Sequence, residues 1–240
     1  MKNIAQLALS VQLPDDETFV SFCGEQNDIF VEQLKLFIQL KDEQQGLPAS
    51  FYLFGHQGCG KSHLLHASCA YAESLGQTSV CLSLSELTLL SVDVLDGLEH
   101  IDVICLDDVH YIADNTDWQQ GIFDLYNRVM EANKRLIITG NDVANNLGIT
   151  LPDLVSRLNW GYTEQIKMLE DDDKLLALQY RATQRGVFLS DDVAKYLLNH
   201  LSREMTSLVD CLDTLDKASI REQRKITIPF IKEVLGEKLG

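Results

Sequence analysis

Gly55-His56-Gln57-Gly58-Cys59-Gly60-Lys61-Ser62 has the spacing G-x-x-x-x-G-K-[ST], a loop built to hold a polyphosphate. Glycines let the backbone turn tightly, so that the N–H groups from Gly55 to Ser62 come close to phosphate oxygens. Lys61 is the residue that reaches the β- and γ-phosphates, and the Ser62 hydroxyl is a ligand for Mg²⁺. A second chemical group follows where Val103-Ile104-Cys105-Leu106 runs straight into Asp107-Asp108. Asp107 takes the metal-holding role, directly or through water. Asp108 stands where many ATPases carry a glutamate that orients the attacking water. A third polar position, Asn141, ends the run Leu136-Ile137-Ile138-Thr139-Gly140. Spacing alone reads it equally as a contact to a γ-phosphate or its water and as a turn asparagine.

These residues need elements that bring them to one edge. Ser50 to Phe54 is an apolar run ending at the first glycine, and Ser62 to Ala67 opens a helical pattern, so the loop joins a strand to a helix N-terminus. Gly76 ends that helix, and Ser79 to Leu82 reads as a second strand. The Ser- and Leu-rich run to Leu90 is a strand passing into a short helix with no clear boundary. The continuous apolar run before Asp107 suits a parallel strand buried on both faces, with its carboxylates at the ligand edge of the sheet. Trp118 to Ala132 is a helix with Ile122, Phe123, Leu125, Tyr126 and Val129 inward. Lys134 to Asn141 and Tyr162 to Met168 are two more strands. Between them, Leu151 to Arg157 is a short helix with Pro152 first, and by pattern alone Arg157 is a surface arginine. Upstream, 27–40 is an amphipathic helix capped by Asn27 or Asp28.

From Glu170 onward no strand is expected. Helices are predicted at 171–184, with Leu175, Leu176, Leu178 and Tyr180 as the apolar set, and at 191–201, 204–220 and 229–239. An alternating β/α half followed by an all-helical tail predicts two domains. The boundaries are an N-terminal arm at 1–18, an α/β nucleotide-binding domain at 19–168 and a helical lid at 169–240. In the arm, Leu7, Leu9 and Val11 alternate and would share a side of an extended chain. Pattern alone favours an edge strand or a tail there.

The chain has 240 residues, 45% of them hydrophobic, and a net charge of −16. Such a surface repels a phosphate backbone and argues against strong direct DNA binding. Six cysteines without C-x-x-C spacing read as reduced thiols of a cytoplasmic protein. No apolar run approaches a membrane span.

A phosphate loop, a strand ending in Asp107-Asp108, a polar strand end and an arginine before the last strand, followed by a helical lid, resemble the AAA+ layout. The motifs Lys61-Ser62-His63-Leu64-Leu65-His66-Ala67 and Ser156-Arg157-Leu158-Asn159-Trp160-Gly161 resemble the DnaA-type initiators and the related Hda family of DnaA regulatory inactivators. Leu13 to Phe19, Ile122 to Arg128 and Ala218 to Phe230 resemble Hda in particular. The resemblance covers nearly the whole chain and stops where a DnaA continues into its DNA-binding domain.

The resemblance implies a P-loop AAA+ fold with a parallel five-stranded sheet flanked by helices and a small all-α lid. It implies bound ADP or ATP with Mg²⁺, Asn141 as sensor 1, and sites formed between subunits of an oligomer. It implies Arg157 as an arginine finger acting in trans on a neighbour's γ-phosphate, worth on the order of 10³ to 10⁵ in rate. Gln6, Leu7 and Leu9 would belong to a peptide that docks on the replicase sliding clamp. Ser10 and Val11 depart from the bulkier endings of such peptides, which weakens the expected affinity. The sensor 2 arginine is missing: Thr206 occupies its place, with Arg203 nearby. The function implied is negative regulation of replication initiation by stimulating ATP hydrolysis in DnaA, with at most weak ATPase activity of its own. Two alternatives stay open. One is a stand-alone AAA+ ATPase acting as a helicase loader or replication motor, and the other is a nucleotide-locked scaffold bridging clamp and partner.

Overall fold

The computed structural model describes residues 17–22, 24–39, 50–202 and 204–236. Gln6, Leu7, Leu9 and Arg203 lie outside these residues. Five strands form one parallel sheet: β1 (Phe51–Phe54), β2 (Ser79–Ser83), β3 (Val103–Asp107), β4 (Arg135–Gly140) and β5 (Tyr162–Gln165), in the order β2-β3-β4-β1-β5. Both faces are covered, and alternate residues of each strand serve opposite sides. Val103 and Cys105 join Leu64, Leu65, Leu34 and Phe37, from helices α1 (Asp28–Gln39) and α2 (Lys61–Ser74). Ile104 and Leu106 join Trp118, Ile122, Leu125 and Leu154, from α4 (Thr116–Glu131) and α5 (Pro152–Trp160). The ambiguous run after β2 resolves into a single turn of helix, α3 (Leu84–Leu87), whose Leu84 and Leu87 are buried.

Four helices complete the described chain: α6 (Asp171–Gln184), α7 (Asp191–His200), α8 (Met205–Glu222) and α9 (Ile228–Leu235). Three expectations are corrected here. The last strand stops at Gln165, although the Ile166 N–H still bonds the Phe54 carbonyl. The backbone of the next residue is taken by Asn27, whose side-chain amide donates to the Lys167 carbonyl and accepts from its N–H. Asn27 therefore serves that junction, and a 3-10 turn, Glu25–Asn27, leads into α1. Third, the buried side of α6 is Lys174, Ala177, Leu178, Arg181 and Ala182, while Leu176 is exposed. Two cations therefore lie on its inward face.

Candidate functional site

The glycine loop links the end of β1 to the start of α2. Gly60 has φ 101°, in the left-handed region that favours glycine, and a Cβ there would meet the Phe22 ring at 2.7 Å. Lys61 begins the helix and is buried. Its Nζ donates to the Gly55 and His56 carbonyls at 3.1 and 3.3 Å, and stands 3.8 Å from Asp108 Oδ1. Ser62 Oγ donates to Asp107 Oδ2 at 2.6 Å. Because β3 lies two places from β1 in the sheet, its C-terminal carboxylate reaches the head of α2.

Thr139, in the intervening β4, fixes the geometry. Its hydroxyl donates to Asp107 Oδ1 and accepts the Asp108 N–H at 2.9 Å. Asp108 itself has φ 58°, a strained conformation for a residue with a side chain. Its Oδ1 is buried without a hydrogen-bond partner among the described residues. Burial, then the neighbouring Asp107, pushes the Asp108 carboxyl above its ordinary value, although Lys61 and His110 oppose the shift. Burial likewise raises the Cys59 thiol in the loop.

A cavity of about 430 Å³ opens over the loop. One wall is Gln57 to His63, a second is Glu17, Ser21 and Phe22, and a third is Leu169, Ala177, Arg181, Met205, Thr206, Val209 and Asp210. Lys61, Ser62 and Asp108 are thus brought together, with Asp107 bonded to Ser62. Thr206 lines the cavity from the first turn of α8. Asn141 is exposed and does not line it, and the polar contact to Asp107 comes from Thr139 instead. Phe22 lines the cavity, while Phe19 is buried against Tyr71. The sequence motifs assign no role to Glu17, His63, Thr139 or Arg181. The signal for Arg181 was a cation at helical spacing from Ala177, Leu178 and Ala182.

Arg157 lies elsewhere, in the last turn of α5, where the helix dipole favours a cation. Its guanidinium sits 5.7 Å from the Tyr126 ring centre and 5.0 Å from that of Trp160. Tyr126 is fully buried, and its hydroxyl is 3.1 Å from Ser50 Oγ, just ahead of β1. Phe123, Asp153, Ser156 and Trp160 line a surface cleft with Arg157, and none of them lines the P-loop cavity.

The family model for the bacterial DnaA ATPase domain matches residues 13–165, and the model for the Hda lid domain matches 171–235. Among solved structures, domain III of the Thermotoga maritima replication initiation protein DnaA is similar at 16% identity with a TM-score of 0.78, over 95% of this chain and 98% of that one. AMPPCP-bound DnaA from Aquifex aeolicus is similar at 22% identity with a TM-score of 0.65, over 87% of this chain and 66% of that one. The Thermotoga maritima RuvB branch-migration motor shares the fold at 13% identity with a TM-score of 0.68, over 93% and 72% of the two chains. No helix among the described residues is long and apolar enough to cross a membrane. The chain belongs to the bacterial DnaA ATPase-domain family, as an Hda-like AAA+ protein whose C-terminal helices match the Hda lid.

Proposed function

We propose that this protein is a nucleotide-bound regulator that presents Arg157 to the ATP of a DnaA-type partner and speeds its hydrolysis. The observation that carries the reading is where Arg157 is mounted. Ser50 and Gly55 stand at opposite ends of β1, and five extended residues span about 16 Å. Arg157 rests on Tyr126 at the Ser50 end, whereas the phosphate loop starts at Gly55. That separation exceeds the length of an arginine side chain, so a phosphate within its reach belongs to another subunit. A guanidinium supplied in trans stabilises charge developing on the γ-phosphate.

The chain's own cavity is read as holding ADP or ATP. The donor set fits Mg²⁺: Ser62 Oγ and the Asp107 carboxylate meet at the head of α2, and Asp108 Oδ1 is buried with no hydrogen-bond partner among the described residues. Ser62 and Asp107 would hold the ion, and Thr139 keeps the Asp107 carboxylate oriented. When bound, the ion offsets phosphate charge. Lys61 supplies the fixed positive charge, and the loop N–H groups supply the remaining donors. Docking on the sliding clamp through Gln6, Leu7 and Leu9, assembly with other subunits and a cytoplasmic location complete the proposal.

The test mixes the purified chain, sliding clamp, DNA and ATP-loaded DnaA, and follows ATP hydrolysis. Stimulation that disappears with Arg157→Ala supports the reading, and a rate equal to DnaA alone refutes it. The raised carboxyl of Asp108, 3.8 Å from Lys61, favours a second reading in which the chain hydrolyses ATP itself. Steady turnover without DnaA, abolished by Lys61→Ala, would select that one.

A further inference from the structure

The C-terminal helices have a hydrophobic core of their own. Leu178, Leu197, Leu212 and Phe230 belong to a cluster drawn wholly from α6 to α9 and their connections, separate from the two clusters on the sheet faces. A polar chain crosses from this bundle to the phosphate loop. Arg181, on the inward face of α6, directs one guanidinium nitrogen to Glu17 Oε1 at 3.2 Å and to His63 Nδ1 at 3.0 Å. A guanidinium only donates, so His63 Nδ1 accepts and the ring proton sits on Nε2. Nε2 is 2.9 Å from the Thr18 carbonyl, to which it donates. One turn along α2, His66 Nδ1 meets the other oxygen of Glu17 at 2.5 Å.

The ring of contacts Thr18–His63–Arg181–Glu17–His66 thus closes through three segments: residues 17–22, α2 and α6. Burial by itself would raise the Glu17 carboxyl, but the His66 hydrogen bond, with the charges of His66 and Arg181 beside it, brings it down to about 2. The same segments wall the cavity. Among its described lining residues, Lys61 and Arg181 are the two with a permanent positive charge.

We propose that this ring is a clasp: Glu17 and His63 position Arg181 so that α6 stays closed over the phosphate loop, and residues 17–22 thereby set how fast nucleotide leaves. The inference rests on the reading of this cavity as a nucleotide site. Its physical basis is the cost of opening, because withdrawing a buried guanidinium from one partner leaves a buried charge uncompensated. Glu17 is also the first residue the structure describes, inside the stretch 1–18 that the sequence sets off as an arm.

The experiment measures dissociation of ADP carrying an N-methylanthraniloyl fluorophore from the full chain, chased with excess unlabelled ADP. Glu17→Gln and Arg181→Gln are each expected to speed release about tenfold, the equivalent of 1.4 kcal/mol. The double variant should release no faster than the quicker single one, because both lose one contact. Arg185→Gln, which removes a lid arginine bonded to Asp213 within the bundle, should leave the rate alone. Singles within twofold of wild type, or a double that multiplies the two effects, would overturn the clasp.

Amide exchange on the unmutated chain gives a second arm that does not depend on how the variants fold. Bound ADP should slow exchange in 17–22 and 177–184 together, and protection of neither overturns the proposal. A wild-type chain that binds no ADP at all would instead remove the nucleotide reading beneath it. That outcome is distinct from a chain that binds ADP but releases it independently of Glu17.

Discussion

The mounting of Arg157 yields a graded prediction. Its guanidinium lies between a fully buried ring, Tyr126, and one that is 66% exposed, Trp160. A cation over an exposed ring is worth about 0.5–1 kcal/mol. Replacing Trp160 by Leu removes that restraint but leaves Tyr126, tethered to Ser50, in place. If all of the lost energy is felt in the transition state, the stimulated rate falls about two- to fivefold. Arg157→Ala removes the charge itself and costs on the order of 10³ or more.

The assay is single-turnover hydrolysis of ATP preloaded on DnaA, with the chain saturating on clamp-bearing DNA. The helix itself should survive Trp160→Leu, because α5 is anchored by buried Leu154 and Leu158, so the unfolding temperature should move by no more than about 2 °C. A Trp160→Leu defect as deep as that of Arg157→Ala would refute the bracing argument. So would an unchanged rate, since the ring would then contribute nothing to placing the guanidinium.

Two further outcomes follow from the glycine loop and the strand end beside it. Gly60→Ala forces a side chain into φ 101° and against Phe22, so about 1–2 kcal/mol of strain should lower the melting temperature by roughly 2–8 °C and weaken nucleotide binding. An unchanged thermogram would contradict it. Thr139→Val strips a donor from Asp107 and an acceptor from the Asp108 N–H in a fully buried place, a loss of about 1–3 kcal/mol. Titration with Mg²⁺ should show weaker metal-dependent nucleotide binding, and wild-type metal dependence would count against the assigned role.

The Glu17–His66 pair predicts two limbs in stability against pH. Glu17 is lowered from 4.5 to about 2, so its contribution is present above 4.5 and is lost as pH falls toward 2. For His66 burial opposes the charge, but Glu17 outweighs it and raises the ring above 6.5; its contribution is present below 6.5 and is lost as pH rises through the raised value. Urea midpoints across pH should lose both limbs in Glu17→Gln, and identical curves would dismiss the pair.

Much of the sheet was legible because its signals are local. A glycine loop between an apolar run and a helical pattern fixes β1 and α2. A run such as Val103 to Leu106, apolar at every position, announces a strand buried on two faces. Asp107-Asp108 marks a strand end for the same reason. Asn141 shows the limit of such signals. It is the polar residue that closes the apolar run, yet it is exposed, while Thr139 within the run faces Asp107. Threonine is β-branched and reads as ordinary strand material, so its hydroxyl carries no punctuation. The length of β5 failed differently, since Tyr162 to Met168 has no internal stop. The strand ends at Gln165, opposite the last residue of β1, and Asn27, far away in sequence, takes up the backbone of Lys167 just beyond.

Helix α6 carries the most chemical information. Its apolar residues Leu175, Leu176, Leu178 and Tyr180 do not follow one helical face. The buried positions 174, 177, 178, 181 and 182 do follow one, with spacings of three and four residues. Two of them are Lys and Arg, residues rarely buried without a partner, so the pattern of apolar residues does not mark this face. For Arg181 the partners come from outside the helix: Glu17 before α1 and His63 just after the phosphate-loop serine. A cation on the inward face of an otherwise regular amphipathic helix is costly unless something anionic or hydrogen-bonding meets it there. Its presence in α6 is therefore a statement about what that helix faces. In this chain it faces the glycine loop and residues 17–22, so the charge pattern of the lid, more than its leucines, records what the bundle packs against.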